Sequence, residues 1–473
     1  MLDFMSKLFF ALLVIVLLGI HGPVRADAAD DYLRAEMAKR HIPGLTVAVV
    51  QGGKVVKSSG YGLADRDAKT PATPETVYQL ASLTKQFTAA AIAKLAQDGK
   101  LNVEDKISRY FPGAPDLWAG ITIRQLLNQT SGLPNFLEGM TTKALRQDFT
   151  TGQIVRRLSS RPLKFVPGTQ YAYSNTNYYL LGVIVEKASG KPYGQYLQET
   201  FFAPLGMTQT RLYAQRTAAP EAAQGSIWDG HALQRSPYVF SPTLQFGYSG
   251  VLSTAGDLVK WDEALNGDAL LTQASKALLW TAPTLPGGAT TEYGAGWLVT
   301  RVHDYPLLWH NGALPTGFSG AFFKFPADKL TLIVLSNVFD IPQMKAGAPM
   351  YALTLGLAKL YLPAVQDAPP PVDPNPKMTA LLRPIIAALA VGKIDRTQFT
   401  EAMNAVLSPA TLKQNRETFS ALGPLQSLDY ESHVERNGLR VYRYRAVYGD
   451  TPISWTLALA PDGEIAGVQS RAE

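Results

Sequence analysis

A run of five prolines within nine residues, Ala368-Pro369-Pro370-Pro371-Val372-Asp373-Pro374-Asn375-Pro376, limits what this chain can build more than any other stretch. Proline fixes φ and lacks a backbone N–H, so the run continues neither a helix nor a central strand. It reads as a stiff, extended linker, placed with its flanks at 363–377. The 473 residues are therefore expected to form two units, 27–362 and 378–473. At 46% hydrophobic and 17% charged residues, the composition supplies a sizeable core and excludes a disordered chain.

The larger unit has strand signals at both ends. Leu45 to Gln51 is apolar and β-branched, Gly52-Gly53 is a hairpin signal, and Lys54 to Gly60 reads as the returning strand. Gly296 to Arg301, Leu307 to His310, Gly320 to Phe325 and Leu330 to Asn337 read as late strands. Between them helices are expected at Asn102 to Phe111, Thr122 to Gln129, Thr176 to Ala188, Tyr193 to Phe202 and Gly256 to Asn266. Ala28 to Arg40 opens the unit as a helix and Met344 to Leu362 closes it. One sheet completed by both ends, with a helical insertion, gives an α/β (α+β) layer architecture. Beyond the linker, helices at Met378 to Leu389 and Asp395 to Val406 precede four strands. These run from Leu425 to Glu435, Leu439 to Tyr448, Ile453 to Ala460 and Glu464 to Gln469. Asn437-Gly438 and Pro461-Asp462-Gly463 are their turns, so a small α+β domain is predicted.

Leu8 to Ile20 is apolar apart from Gly19 and too short to span a bilayer comfortably. Lys7 precedes it, and Val24-Arg25-Ala26 offers small residues at the −3 and −1 positions of a cleavage site. Residues 1–26 read as a secretory signal peptide cut after Ala26, which makes the mature protein periplasmic or secreted. The alternative is an uncleaved anchor, and that segment is then the expected membrane contact. Cysteine is absent, which excludes disulfides, thiolate metal sites and a thiol nucleophile. The net charge is +6; Asp3, Lys7 and Arg25 contribute +1 of it, leaving +5 beyond the leader. So small a charge on so long a chain argues against a nucleic-acid partner.

The chemistry centres on Ala81-Ser82-Leu83-Thr84-Lys85-Gln86-Phe87-Thr88, where an amphipathic helix begins. Phe87, Ala90, Ala91 and Leu95 share one of its faces, and Gly99 follows as a stop. Ser82 and Lys85 are one turn apart and so share a face. A serine hydroxyl becomes a nucleophile when a neighbouring base takes its proton. A lysine is such a base when burial or nearby positive charge lowers its pKa. Tyr173 and Asn175, in Tyr171-Ala172-Tyr173-Ser174-Asn175-Thr176-Asn177, lie just before a helix where side chains project into a cleft. A tyrosine near a cationic lysine is a candidate general base, and Asn175 offers an amide donor to an acyl group. His310-Asn311-Gly312 sits at the end of a strand, with Gly312 expected to admit a substrate close to the backbone and His310 to supply a donor. The histidines form no metal-binding pair of the H-E-x-x-H kind, and no G-x-S-x-G elbow is present.

Ser82-x-x-Lys85, Tyr173-x-Asn175 and His310-x-Gly312 together resemble, in order and spacing, the three motifs of the penicillin-recognising serine hydrolases. The nearest branch is the class C β-lactamase and D-alanyl-D-alanine carboxypeptidase group, which includes esterases and D-amino-acid peptidases. Leu126-Leu127-Asn128-Gln129-Thr130-Ser131-Gly132-Leu133 and Tyr248-Ser249-Gly250-Val251-Leu252-Ser253-Thr254-Ala255-Gly256-Asp257-Leu258 resemble two further segments of that family. The resemblance covers residues 29 to 362. It implies an antiparallel sheet flanked by helices, with a helical subdomain, and an exported serine hydrolase working without metal or cofactor. Ser82 is then the acylated nucleophile, Lys85 and Tyr173 relay the proton, and Asn175 orients the acyl group and the lysine. Backbone N–H groups of Ser82 and Ala313, the residue after Gly312, form the oxyanion site, and His310 binds a carboxylate or assists the leaving group. The implied substrates are small molecules or peptides (D-amino-acid peptides, β-lactams or related amides and esters) met at the cell wall. Carboxylesterase activity on the same fold, or a catalytically silent peptidoglycan-binding protein, are the alternatives. Two departures stand out: Gln129 where the family has histidine, expected to bear on loop support, and His310-Asn311-Gly312 where the family often has Lys-Thr-Gly. The second moves the expectation away from efficient β-lactam hydrolysis. Specificity is expected from the loops between Thr130 and Thr169 and between Thr208 and Phe246.

Overall fold

The computed structural model describes residues 24–215, 222–286, 290–302, 305–341, 349–363, 365, 373–436, 439–449 and 451–472. The leader expected at 1–26 lies, up to 23, outside the described residues, as does most of the proline-rich linker. Among the described residues no helix is long and apolar enough to cross a membrane.

Seven strands make one antiparallel sheet. Their spatial order is Thr70–Pro71, Lys54–Asp65, Gly44–Gln51, Leu330–Ser336, Phe318–Phe325, Tyr305–Leu314 and Leu298–Val302. The first long strand pairs with the last, from Leu45 opposite Ser336 to Gln51 opposite Leu330. The two ends of the domain thus complete one sheet, and everything helical between them is an insertion.

The sheet is covered on both faces, which explains why its strands read as apolar runs rather than alternations. Leu45, Val47, Val49, Leu332, Val334, Phe323 and Trp309 pack under the helices Val24–Lys39 and Pro349–Tyr361. Ala48, Ile333, Leu335, Phe322 and Leu308 face the helical layer. By the two-residue period of a strand, His310 and Gly312 share the side of Leu308. That side looks toward the helix Thr84–Gln97, whose residues Thr84 to Ala93 are buried without interruption. It is a central helix, buried on all sides along this stretch, rather than the one-faced surface helix its periodicity suggests. Beneath it, Lys324 donates to Asp262 (2.7 Å) and to Asn266 (2.5 Å) in a buried polar network that ties the sheet to the helix Ala255–Asn266.

The segment Asn102 to Phe111 forms only the single turn Ile107–Arg109. Asp105 accepts the N–H of Asn102 (3.0 Å) and Asn102 that of Glu104 (2.9 Å), so short polar side chains take the donors a helix would use. The helix from Tyr193 ends at Leu197 and continues as a π turn, Gln198–Phe202.

The C-terminal sheet is a separate domain of four antiparallel strands, Leu425–Arg436, Leu439–Tyr448, Thr451–Leu459 and Ile465–Ala472. One of its faces buries Tyr442, Tyr444, Ala446, Trp455 and Leu457 against Leu382, Ile386, Leu389 and Phe419. The helix expected at Asp395 to Val406 is split into the turn Arg396–Gln398 and the helix Glu401–Val406, capped by Thr400. A further helix, Pro409–Ser420, follows; its sequence signal is Ser408 as N-cap with proline in the first turn.

Candidate active site

Ser82 stands on a single 3-10 turn, Ala81–Leu83, that feeds directly into the helix carrying Lys85. The residue before it, Ala81, has φ +49° without being glycine. Left-handed backbone costs an alanine about 1–2 kcal/mol, so the surroundings must enforce it. They do so from two sides. The Leu80 N–H donates to Val251 O (2.9 Å), and the Val251 N–H donates to Thr84 Oγ1 (3.0 Å). On the other side, Leu298–Val302 pairs with Tyr305–Leu314 only as far as Trp309, so the remainder of that long strand is clear of it. The Ser82 turn lies against this stretch: a Cβ on Gly312 would sit 2.3 Å from Leu80 O and 3.3 Å from Ala81 Cβ. Gly312 is thus accounted for by the nucleophile turn itself, where the sequence suggested a substrate. Ala313 follows beside the same turn.

Lys85 is buried completely, and three oxygens surround its Nζ: Ser82 Oγ at 3.0 Å, Asn175 Oδ1 at 2.9 Å and Tyr248 O at 3.0 Å. No carboxylate pairs with it among the described ion pairs. Burial without a counter-ion disfavours the ammonium and lowers the pKa well below the ordinary lysine value. A neutral amine fits these partners fully. Its two N–H groups serve the carbonyl oxygens of Asn175 and Tyr248, and its lone pair receives the Ser82 hydroxyl proton. Tyr248 enters through its backbone carbonyl, which no side-chain pattern marks. It is held close because Gly247 and Gly182 pack backbone to backbone, a Cβ on Gly247 lying 2.5 Å from Tyr178 O.

The Tyr173 hydroxyl donates to Ser82 Oγ at 3.0 Å, and Lys85 Nζ lies 4.8 Å from its ring centre. The residue keeps 38% of its surface exposed, but its hydroxyl end turns inward among protein atoms. Burial there pushes the phenol up, and the Ser82 bond offsets this only in part. The resting phenol is protonated, because burial disfavours the phenolate more than the Ser82 bond stabilises it. Asn175 opens the helix Asn175–Ser189, which places its side chain at the helix mouth beside Lys85.

The Tyr173 segment rests on Gln129. This residue, buried and at φ +63°, accepts the Ser174 N–H (2.9 Å) and the Asn177 side-chain amide (2.5 Å) at Oε1. Its backbone carbonyl accepts the Ala172 N–H (3.1 Å). The departure at position 129 therefore acts as loop support.

His310 is buried behind this group. Its Nδ1 lies 2.6 Å from Asn311 O and must carry the proton; its Nε2 then accepts from the Tyr293 hydroxyl at 3.1 Å. Burial, reinforced by the charge of Lys85 in its protonated state, lowers His310 to about 3. Both ring nitrogens are occupied and the ring is neutral, so His310 offers no charge to a substrate carboxylate. Tyr293 also meets Tyr173 edge-on with centroids 6.0 Å apart. No local sequence pattern singles it out.

Ser82, Lys85, Tyr173 and Asn175 thus come together from three segments, with His310, Gly312 and Ala313 on the strand alongside. The family model described as Beta-lactamase matches residues 29–356. Penicillin-binding protein 4* of Bacillus subtilis is 34% identical over 317 residues, covering 64% of this chain and 69% of that protein. Among solved structures, D-amino acid amidase from Ochrobactrum anthropi SV3, complexed with L-phenylalanine amide, is 26% identical, with a TM-score of 0.61 over 73% of this chain and 99% of that one. The octameric penicillin-binding protein homologue from Pyrococcus abyssi, 21% identical with a TM-score of 0.59, covers 95% of this chain and 98% of its own, a likeness of fold that includes the C-terminal domain. A family match across more than half the chain, alongside a serine, lysine and tyrosine gathered in one site, leads to one conclusion: the chain belongs to the beta-lactamase family of serine hydrolases.

Proposed function

We propose that this protein hydrolyses uncharged amides and esters, those of D-amino acids foremost, through an acyl-serine intermediate on Ser82. The observation that carries the proposal is Lys85: buried, without a carboxylate partner among the described residues, and 3.0 Å from Ser82 Oγ. As Ser82 Oγ attacks the carbonyl carbon, its proton passes to the Lys85 lone pair. The oxyanion forms between the backbone N–H groups of Ser82 and Ala313. When the intermediate collapses, Tyr173 gives its proton to the leaving nitrogen or oxygen and is reprotonated by Lys85. Water then attacks the acyl-serine, its proton taken by the same pair, and Ser82 recovers its own. Asn175 holds Lys85 through Oδ1 and turns its amide nitrogen toward the acyl group.

A neutral His310 with both nitrogens engaged favours substrates that do not depend on a carboxylate counter-ion. The likeness to a D-amino acid amidase supports the amide class. The leader-like residues 1–26 support action outside the cytoplasm, in the periplasm or beyond the cell. Purified protein should turn over D-phenylalanine amide or a D-amino-acid p-nitroanilide faster than nitrocefin or a D-Ala-D-Ala peptide. Ser82→Ala should abolish both turnover and labelling by a fluorophosphonate probe. Undiminished labelling of that variant would remove Ser82 from its role.

A further inference from the structure

Among the described residues the C-terminal domain supplies none to the catalytic cluster, yet it reaches the wall behind it. Arg443 lies on the strand Leu439–Tyr448 between Tyr442 and Tyr444, which point into that domain's own core. Arg443 therefore faces the other way, and its guanidinium meets Glu292 of the hydrolase domain at 2.7 Å. Glu292 immediately precedes Tyr293, and its carbonyl accepts the Val299 N–H at 2.9 Å, which closes the turn into the edge strand. Tyr293 is the buried ring whose hydroxyl engages His310 and whose edge meets Tyr173.

An electrostatic influence of Arg443 also reaches the His310 strand from its other face. Arg443 is within electrostatic reach of Glu431 and of Tyr351. Tyr351 packs on Trp309 with centroids 4.6 Å apart and on Phe323 at 5.2 Å. Trp309 precedes His310. One arginine of the C-terminal domain is thus paired with Glu292, next to Tyr293 on the catalytic face, and lies within electrostatic reach of Tyr351, which packs on the His310 strand from the opposite face.

We infer that Arg443 is a positioning residue: through Glu292 it holds the Tyr293 wall against His310 and Tyr173, so the rate of Ser82 acylation depends on the C-terminal domain. The inference deepens the proposed hydrolase reading and rests on it for its kinetic readout only. With the pair broken, the Glu292 turn relaxes, the Tyr293 hydroxyl leaves His310, and Tyr173 loses the ring that fixes its angle to Ser82.

The test uses the full chain with Arg443→Glu, Glu292→Arg and the double exchange. Each single variant should slow fluorophosphonate labelling of Ser82 and lower kcat by about two- to fivefold, the range for a half-exposed ion pair acting on a barrier. KM should change less, and the double exchange should recover most of the loss. Circular dichroism checks that all three fold. Amide hydrogen exchange across 290–299 should be faster in the single variants and restored in the double one. Labelling and exchange that match the wild type in the single variants would overturn the inference, as would a double exchange that recovers neither. Should the wild type fail to label, the Ser82 reading falls, and hydrogen exchange alone still decides the role of Arg443.

Discussion

A Cβ on Gly312 would stand 2.3 Å from the carbonyl oxygen of Leu80, so the strand that carries His310 and the turn that carries Ser82 touch backbone to backbone. No side chain fits between them. The spacing of the two oxyanion-site N–H groups proposed above, on Ser82 and Ala313, is set by this contact.

Gly312→Ala should therefore damage catalysis more than its single methyl suggests. The strand or the turn must move, at a cost of about 1–3 kcal/mol for overpacking. The loss of oxyanion alignment adds about 3 kcal/mol to the barrier, roughly a hundredfold or more in kcat. Thermal unfolding and steady-state kinetics on the same preparation separate the two effects. An alanine variant with wild-type kcat would show that the contact does not govern the site.

Lys85 makes stability depend on pH in a definite direction. Burial lowers its folded-state pKa, while in the unfolded chain the amine keeps its ordinary value. Between those two values the unfolded state binds one more proton, so stability rises with pH across that window and is lost as pH falls through it. Lys85→Met removes this contribution and leaves every other titrating group in place. The stability of the wild type relative to the variant should accordingly climb from the depressed folded-state value toward about pH 10, measured by urea unfolding. The acylation rate of the wild type should climb through the depressed folded-state value and level off above it, where the stability difference begins to rise, because the neutral amine accepts the Ser82 proton. Parallel stability curves for the two proteins would refute a depressed Lys85.

The pitch of a helix made Ser82 and Lys85 legible as a pair, and the order of the motifs joined Tyr173, Asn175 and His310 to them. The seven-stranded sheet was legible for a similar reason: strand signals at both ends of a helical region leave few ways to close a core. What the sequence could not carry was partner identity. Gly312 signals that something comes close, and only the fold reveals that it is Leu80. Tyr248 acts through a carbonyl that every residue has. Tyr293 acts across 17 positions, on a histidine whose neutrality follows from burial. Tyr173 is a candidate base by its place near Lys85, and only the fold reveals that burial keeps its phenol protonated at rest. The Asn102 to Phe111 stretch has helical periodicity and still forms turns, because Asn102 and Asp105 take the local N–H groups.

Gln129 gives the last prediction. Its Oε1 holds the Ser174 N–H and the Asn177 amide, and its carbonyl holds the Ala172 N–H, so one residue grips the segment presenting Tyr173 and Asn175 on both sides of Tyr173. Gln129→Leu leaves two buried donors without acceptors, at about 1–3 kcal/mol each. The variant should unfold at lower temperature and label Ser82 more slowly, with kcat falling further than KM rises. Gln129→His retains one acceptor nitrogen and should fall between the leucine variant and the wild type on both measures. The graded order is the informative result, since a residue that merely filled space would be replaced as well by leucine as by histidine. A leucine variant with wild-type unfolding temperature and kcat would mean that Tyr173 is held by other contacts.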